Sequence, residues 1–146
     1  HFDFLGDFFA RLMYQHLKTI GMNLSGYLVT AVPLYPSQLK MRGYNQAAFL
    51  GKKIANYFQI PFRGDIIYGK KNKQSQTNLT KEQREINVHG AFGVEGNLTS
   101  KKVALIDDIV TTGSTIKECA ALLKQRGAEK ILVITLSKAQ PQEHIQ

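Results

Sequence analysis

Apolar residues recur along this chain in two rhythms, and the change from one to the other marks out the elements. From Phe2 to Lys18 the apolar positions Phe2, Leu5, Phe8, Phe9, Leu12, Met13 and Leu17 follow helical spacing. They predict an amphipathic helix whose aromatic face packs on a sheet. Tyr27 to Val32 (YLVTAV) is rich in β-branched and aromatic residues and predicts a first core strand. Pro33 and Pro36 end it, and Gly43 allows a tight turn. From about Asn45 the helical rhythm resumes on Ala47, Phe49, Leu50, Ile54, Tyr57 and Phe58. Phe62 to Tyr68, Ala91 to Val94 and Val103 to Ile106 read as further strands, with Gly96-Asn97 as a turn before the last of them. A helix from Ile116 to Arg126 with Gly127 at its C-cap leads to a final strand, Ile131 to Leu136, and a polar tail. Strands alternating with helices predict one α/β domain over residues 1–146, with a mostly parallel central sheet of about five strands flanked by helices. Between Lys70 and Gly90 the chain is polar and charged for about twenty residues, the length and composition of a lid over a site.

The chemistry concentrates in Val103 to Thr115, VALIDDIVTTGST. An apolar run of buried-strand type ends in two carboxylates, Asp107 and Asp108. Thr111, Thr112, Gly113, Ser114 and Thr115 follow, and then the helix. Backbone N–H groups without an intrahelical acceptor sit at such a helix start beside the positive end of its dipole, and both favour a phosphate. The hydroxyls add donors, and glycine allows close approach of an anion. Like charge keeps the acids away from that phosphate, so they suit sugar hydroxyls or a metal held by the same ligand. A helix start that is merely capped does not call for two acids and four hydroxyls around one glycine. The loop before the Asn45 helix carries Lys40 and Arg42. In an open α/β sheet, loops at the carboxyl ends of neighbouring strands face one crevice, so this loop can oppose the Asp107 turn.

Composition narrows the setting. The chain has 146 residues, 43% of them hydrophobic, enough for one core without staples. Its single cysteine, Cys119, excludes a disulfide framework and any cysteine-based zinc site in the chain, and its helical position is that of a core thiol. No apolar run reaches spanning length and no signal-peptide pattern is present, which predicts a cytoplasmic protein. The Asn-x-Ser/Thr triplets at Asn23, Asn78 and Asn97 are then chance. The net charge is +8, and much of the basic charge lies in the middle of the chain; by composition alone it reads first as a solvated lysine-rich surface, and it also suits a polyanionic small molecule or the extended backbone of a nucleic acid. A response-regulator receiver also places two acids after an apolar strand, but it needs several more strands than the one that follows here.

The Asp107–Thr115 turn resembles the phosphoribosyl-pyrophosphate (PRPP) motif of type I phosphoribosyltransferases. Several segments together resemble the ComF (competence protein F, GntX-like) family of that fold: AVPLYP, KMRGYNQA, the pattern Gln76, Leu79, Arg84, Asn87-Val88 and Ala91-Phe92, then VALIDDIVTTGST with ECAALLKQRGA, and ITLSKA. The likeness runs from Tyr27 to Ala139. It implies that Asp107 and Asp108 bind the ribose 2′- and 3′-hydroxyls, and hold Mg²⁺ directly or through water. It implies that Thr111 to Thr115 cradle the 5′-phosphate, that Lys40 and Arg42 face the pyrophosphate, and that Lys73, Gln76 and Arg84 belong to the lid. Transfer from PRPP passes through an oxocarbenium-like state, and Asp108 would help its developing positive charge. ComF-type proteins often carry a cysteine-rich zinc ribbon ahead of this domain, and an abrupt start at His1 fits its removal. The family is associated with natural transformation, which makes incoming single-stranded DNA and uptake machinery such as a competence helicase the expected partners, near the inner face of the cytoplasmic membrane. Two functions remain open: a phosphoribosyltransferase with an unknown acceptor, metabolic or competence-linked, and a non-catalytic module that binds PRPP or nucleic acid. Tyr35, Tyr44, Tyr57 and Tyr68 among the basic residues could stack on the bases of a single strand. The motifs do not specify the oligomeric state.

Overall fold

A computed structural model describes residues 2–70 and 90–139. In chain order its elements are α1 (Phe2–Thr19), β1 (Tyr27–Ala31), α2 (Pro36–Arg42), α3 (Gln46–Phe58), β2 (Ile67–Gly69), β3 (Phe92–Val94), β4 (Lys102–Val110), α4 (Ser114–Gln125) and β5 (Lys130–Lys138). β4 lies at the centre of a parallel three-stranded sheet in the order β1-β4-β5. Its register runs from Tyr27↔Lys102 to Ala31↔Ile106 on one side and from Lys102↔Lys130 to Val110↔Lys138 on the other. Residues 61–63 extend the free side of β1: the Val29 N–H donates to the Pro61 carbonyl, and the Arg63 N–H donates to the Val29 carbonyl, both at 2.9 Å.

Alternation along β4 builds two cores. Ala104 and Ile106 face α1 and α3, with Val29, Leu50 and Ile54 around them. Val103 and Leu105 face the other way, onto Cys119 and Leu123 of α4. A strand covered on both faces has no solvent side, which explains why its sequence is continuously apolar. The second core is closed by β2 and β3, which pair antiparallel as a separate ribbon (Ile67↔Val94 to Gly69↔Phe92). The five strands therefore divide into three in the parallel sheet and two in the ribbon. The stretch from Phe62 to Tyr68, read as one strand, breaks at a turn over Gly64 and Asp65. There Asp65 takes two 2.8 Å hydrogen bonds from the Arg63 guanidinium. Phe62 and Arg63 stay beside β1, and the chain leaves to form β2.

Other expectations shift as well. The helix α1 forms, but its buried side is Gly6, Ala10, Met13 and Leu17, while Leu5, Phe8 and Leu12 are exposed. It leans on α3, where Tyr14 meets Tyr57 and Phe58 at ring separations of 5.0 and 5.1 Å. The small residues of α1 permit that close helix contact and turn its aromatic stripe outward. The loop carrying Lys40 and Arg42 contains the helix α2, which has no buried residue. Its signals are local: Pro36 at the first turn, the Tyr35 N–H donating to Gln38 Oε1 at 3.3 Å, and Gly43 at φ 80° as its stop. With no apolar stripe to bury, it left no periodicity to read. The expected lid, with Lys73, Gln76 and Arg84, falls largely on residues 71–89, outside the described residues.

Candidate functional site

β1 stops at Ala31, opposite Ile106, but β4 continues to Val110 with β5 as its only paired strand among the described residues. The two acids thus sit inside the strand rather than after its end, on the stretch that no described strand flanks on the β1 side. Continued alternation puts Asp107 in the row of Val103 and Leu105, on the α4 side, and Asp108 in the row of Ala104 and Ile106. Each carboxylate is turned onto the next backbone amide. The Asp108 N–H donates to Asp107 Oδ1 and the Ile109 N–H to Asp108 Oδ1, both at 2.9 Å. Among the described residues neither acid has a cation for a partner. Burial, and next the hydrogen-bonded, like-charged Asp108 beside it, push the Asp107 carboxyl up to about 7.

The following turn delivers the donors. Gly113, at φ 80° and ψ 3°, holds the left-handed conformation that starts α4. A Cβ there would meet only Val110 Cγ1 at 3.9 Å, so the glycine is required by its backbone angles rather than by space. The first backbone bond of α4 runs from the Lys117 N–H to the Gly113 carbonyl at 2.9 Å, so the N–H groups of Ser114, Thr115 and Ile116 have no acceptor within the helix. The Thr112 and Ser114 hydroxyls share one hydrogen bond of 2.8 Å. Together Asp107 and residues Ile109 to Ile116 line a small open cleft. Asp108 does not line it. The acid pair read as one unit is therefore divided: Asp107 belongs to the hydroxyl cleft, and Asp108 lies on the flank towards α3.

Lys40 and Arg42 are exposed on the last turn of α2. Their segment leaves β1 where the Val32 N–H donates to the Ile106 carbonyl at 2.9 Å, so it departs from the same sheet edge as the acids. No hydrogen bond or ion pair among the described residues joins either cation to Asp107 or Asp108. Asn45 closes the segment onto its own origin. Its Nδ2 donates to the Val32 carbonyl at 3.0 Å, while its Oδ1 accepts the Ala48 N–H at 3.1 Å and caps α3. The cap is legible in the sequence, but the bond to Val32 is not. Of the four tyrosines considered for stacking, Tyr57 packs on Tyr14, and Tyr35 stacks inside the protein on Phe92 at 5.2 Å. Tyr44 and Tyr68 keep about two-fifths of their surface exposed.

No group of three or more His, Cys, Asp or Glu side chains that could enclose a metal occurs among the described residues. Asp107 at the open cleft, with Asp108 next to it in the strand, fits a cation such as Mg²⁺, which keeps several waters and shares the oxygens of a phosphorylated ligand. No helix among the described residues is long and apolar enough to cross a membrane.

Comparison with known proteins agrees with this fold. Residues 45–145 match the family model of the phosphoribosyl transferase domain. The chain is 35% identical over 137 residues to Competence protein F of Haemophilus influenzae, covering 89% of this chain and 59% of that protein. It is 30% identical over 133 residues to DNA utilization protein YhgH of Salmonella typhimurium, covering 88% and 58% respectively. It thus spans under two-thirds of the length of these relatives. Among solved structures, the purine phosphoribosyltransferase of Pyrococcus horikoshii superposes with a TM-score of 0.53 at 15% identity, over 93% of this chain and 78% of that one, a likeness of fold.

Proposed function

The chain belongs to the phosphoribosyl transferase domain family and is a homologue of Competence protein F and YhgH; from that premise we propose that it binds PRPP with Mg²⁺ and transfers the phosphoribosyl group to an acceptor. One observation carries the reading: a carboxylate, Asp107, lines the same cleft as the hydroxyls and the N–H groups at the start of α4 that have no acceptor within the helix. In this reading the N–H groups of Ser114 to Ile116 and the hydroxyls of Thr111, Thr112, Ser114 and Thr115 donate to the 5′-phosphate, with the dipole of α4 favouring the dianion. Asp107 accepts from a ribose hydroxyl, and Asp108, on the open flank, accepts from the other. Lys40 and Arg42 face the pyrophosphate from the loop after β1. Mg²⁺ shared between the acids and the ligand would neutralise charge as pyrophosphate leaves. The bond from C1 to the pyrophosphate oxygen breaks, the acceptor's lone pair forms the new bond at C1, and the acceptor's proton passes to solvent or to a base on the acceptor side. Asp108 stabilises the positive charge that develops on the ring.

Calorimetry with PRPP and Mg²⁺ tests the site. The wild type should bind, and the variant Asp107→Asn/Asp108→Asn should bind at least about tenfold more weakly, since hydrogen bonds to charged acceptors are lost. Absence of binding in the wild type, or equal binding in the variant, would refute the assignment. Pyrophosphate release with candidate amines and bases then separates a transferase from a binding module.

The relatives' names favour a second role, in handling DNA. With a charge of +8, the protein is expected to hold single strands on the cytoplasmic side, in company with uptake machinery such as a competence helicase. That binding should be sequence-tolerant and fall steeply with salt, because neutralising phosphates releases counterions. No single-strand binding at low ionic strength would overturn it.

A further inference from the structure

Four segments that are far apart in sequence meet on the α4 side of β4. Tyr35, in the turn after β1, stacks on Phe92 of β3 with ring centroids 5.2 Å apart and planes 20° apart. The end of β2 passes so close to that turn that a Cβ on Gly69 would lie 2.9 Å from the Leu34 carbonyl oxygen and 3.1 Å from the Tyr35 Cα. The Lys70 N–H donates to the Ala91 carbonyl at 2.8 Å and joins β2 to the start of β3. From the other side, Glu118 on the second turn of α4 accepts the Gly90 N–H at 2.9 Å. The Tyr35 ring also packs on the buried cluster that holds Cys119 and Leu123 of α4, and its phenol is held above its ordinary value, first by burial and then by charge on Cys119 and Glu118.

These contacts link the two loops that would hold a ligand's phosphates. Tyr35 immediately precedes α2, whose last turn carries Lys40 and Arg42. Glu118 lies one turn beyond Ser114, so anything that moves it moves the start of α4. The ribbon lies between them, with Phe92 only 2% exposed.

We infer that Tyr35, Phe92 and Glu118 form a positioning junction. It sets the spacing between the Lys40/Arg42 loop and the start of α4, and so favours ligands whose two phosphate groups bridge the loops over ligands that occupy one. The inference rests on the PRPP reading and adds its specificity element. A ligand anchored at both ends gains from each loop only if their spacing matches its own length, whereas a fragment on one loop does not sense the spacing. The three residues do not touch the reacting atoms.

The test is calorimetry of the 146-residue chain with three probes, each with Mg²⁺: PRPP, ribose 5-phosphate and inorganic pyrophosphate. In Tyr35→Leu and Glu118→Ala, PRPP affinity should fall by about tenfold while each fragment changes by less than about twofold. Tyr35→Phe retains the ring and Glu118→Gln retains an acceptor for the Gly90 N–H, so both should recover PRPP binding. If Tyr35→Leu does not fold, Glu118→Ala reads the same quantity without opening the core. Equal loss for all three probes would make the junction merely structural and overturn the inference, as would unchanged PRPP affinity in Glu118→Ala. A wild type that binds no PRPP would overturn the ligand reading beneath it, a result distinct from either.

Discussion

Replacing Asp107 by Asn should stabilise the ligand-free protein at neutral and alkaline pH while weakening its site. In the folded chain this carboxyl is pushed from 3.8 up to about 7, chiefly by burial and then by Asp108. An unfolded chain gives up the proton near pH 4, so between about pH 4 and 7 the folded state binds more protons than the unfolded one. Stability must therefore decline as pH rises through that window, and above it the full cost of an ionised, half-buried carboxylate remains. For a group sealed from water the interval would be worth about 4 kcal/mol. Asp107 lines an open cleft, where screening by solvent leaves about 1–2 kcal/mol. Asparagine keeps an oxygen for the Asp108 N–H and removes the titration. Urea denaturation of both proteins at pH 5 and pH 8, in chelator and without ligand, reads the difference. The variant should gain about 1–2 kcal/mol on the wild type between the two pH values, and the wild type alone should show the decline. Parallel pH profiles for the two proteins would refute the argument, because Asp107 would then ionise in the fold as easily as in water. The result would also locate the cost of keeping an unpaired acid at the cleft, which a sugar hydroxyl or a cation would relieve.

Three further outcomes follow from particular contacts. Burial, with negative charge on Asp107 and Glu118, raises the Cys119 thiol to about 12, so a disulfide reagent at pH 8 should leave the native protein unlabelled and label it after denaturation; rapid native labelling would contradict the burial of this side chain. Thr30 Oγ1 is buried in β1 without a hydrogen-bond partner among the described residues, so Thr30→Val should be neutral or stabilise by about 1 kcal/mol in denaturant unfolding, and a clear loss would reveal a bound water or another partner. Gly113→Ala meets no steric obstacle but must hold φ 80°, which should cost about 1–2 kcal/mol of stability and displace the start of α4; an unchanged midpoint would mean that the turn can be built without the left-handed residue.

Much of this molecule is local in origin, and that part could be read along the chain. The apolar run through Val103 to Ile106, the amphipathic stretches that became α3 and α4, and the hydroxyl-rich turn around Gly113 are encoded by residues within a few positions of one another. Hydrophobic periodicity and backbone conformational preference act at that range. The α/β class followed from their alternation. The tertiary structure decided whatever depended on which surface a side chain meets. Phe8 and Leu12 carry the same helical spacing as Met13 and Leu17, yet only the second pair is buried, because α1 presents its small residues to α3. Asp107 and Asp108 are adjacent in sequence, yet pairing of β4 with β5 beyond the end of β1 keeps both in extended strand and sends them to opposite rows. The bond from Asn45 to Val32, and the meeting of Tyr35, Phe92 and Glu118, join residues between 13 and 83 positions apart. No local pattern encodes such contacts, since they arise only when burial of the two faces of β4 brings the segments into one layer.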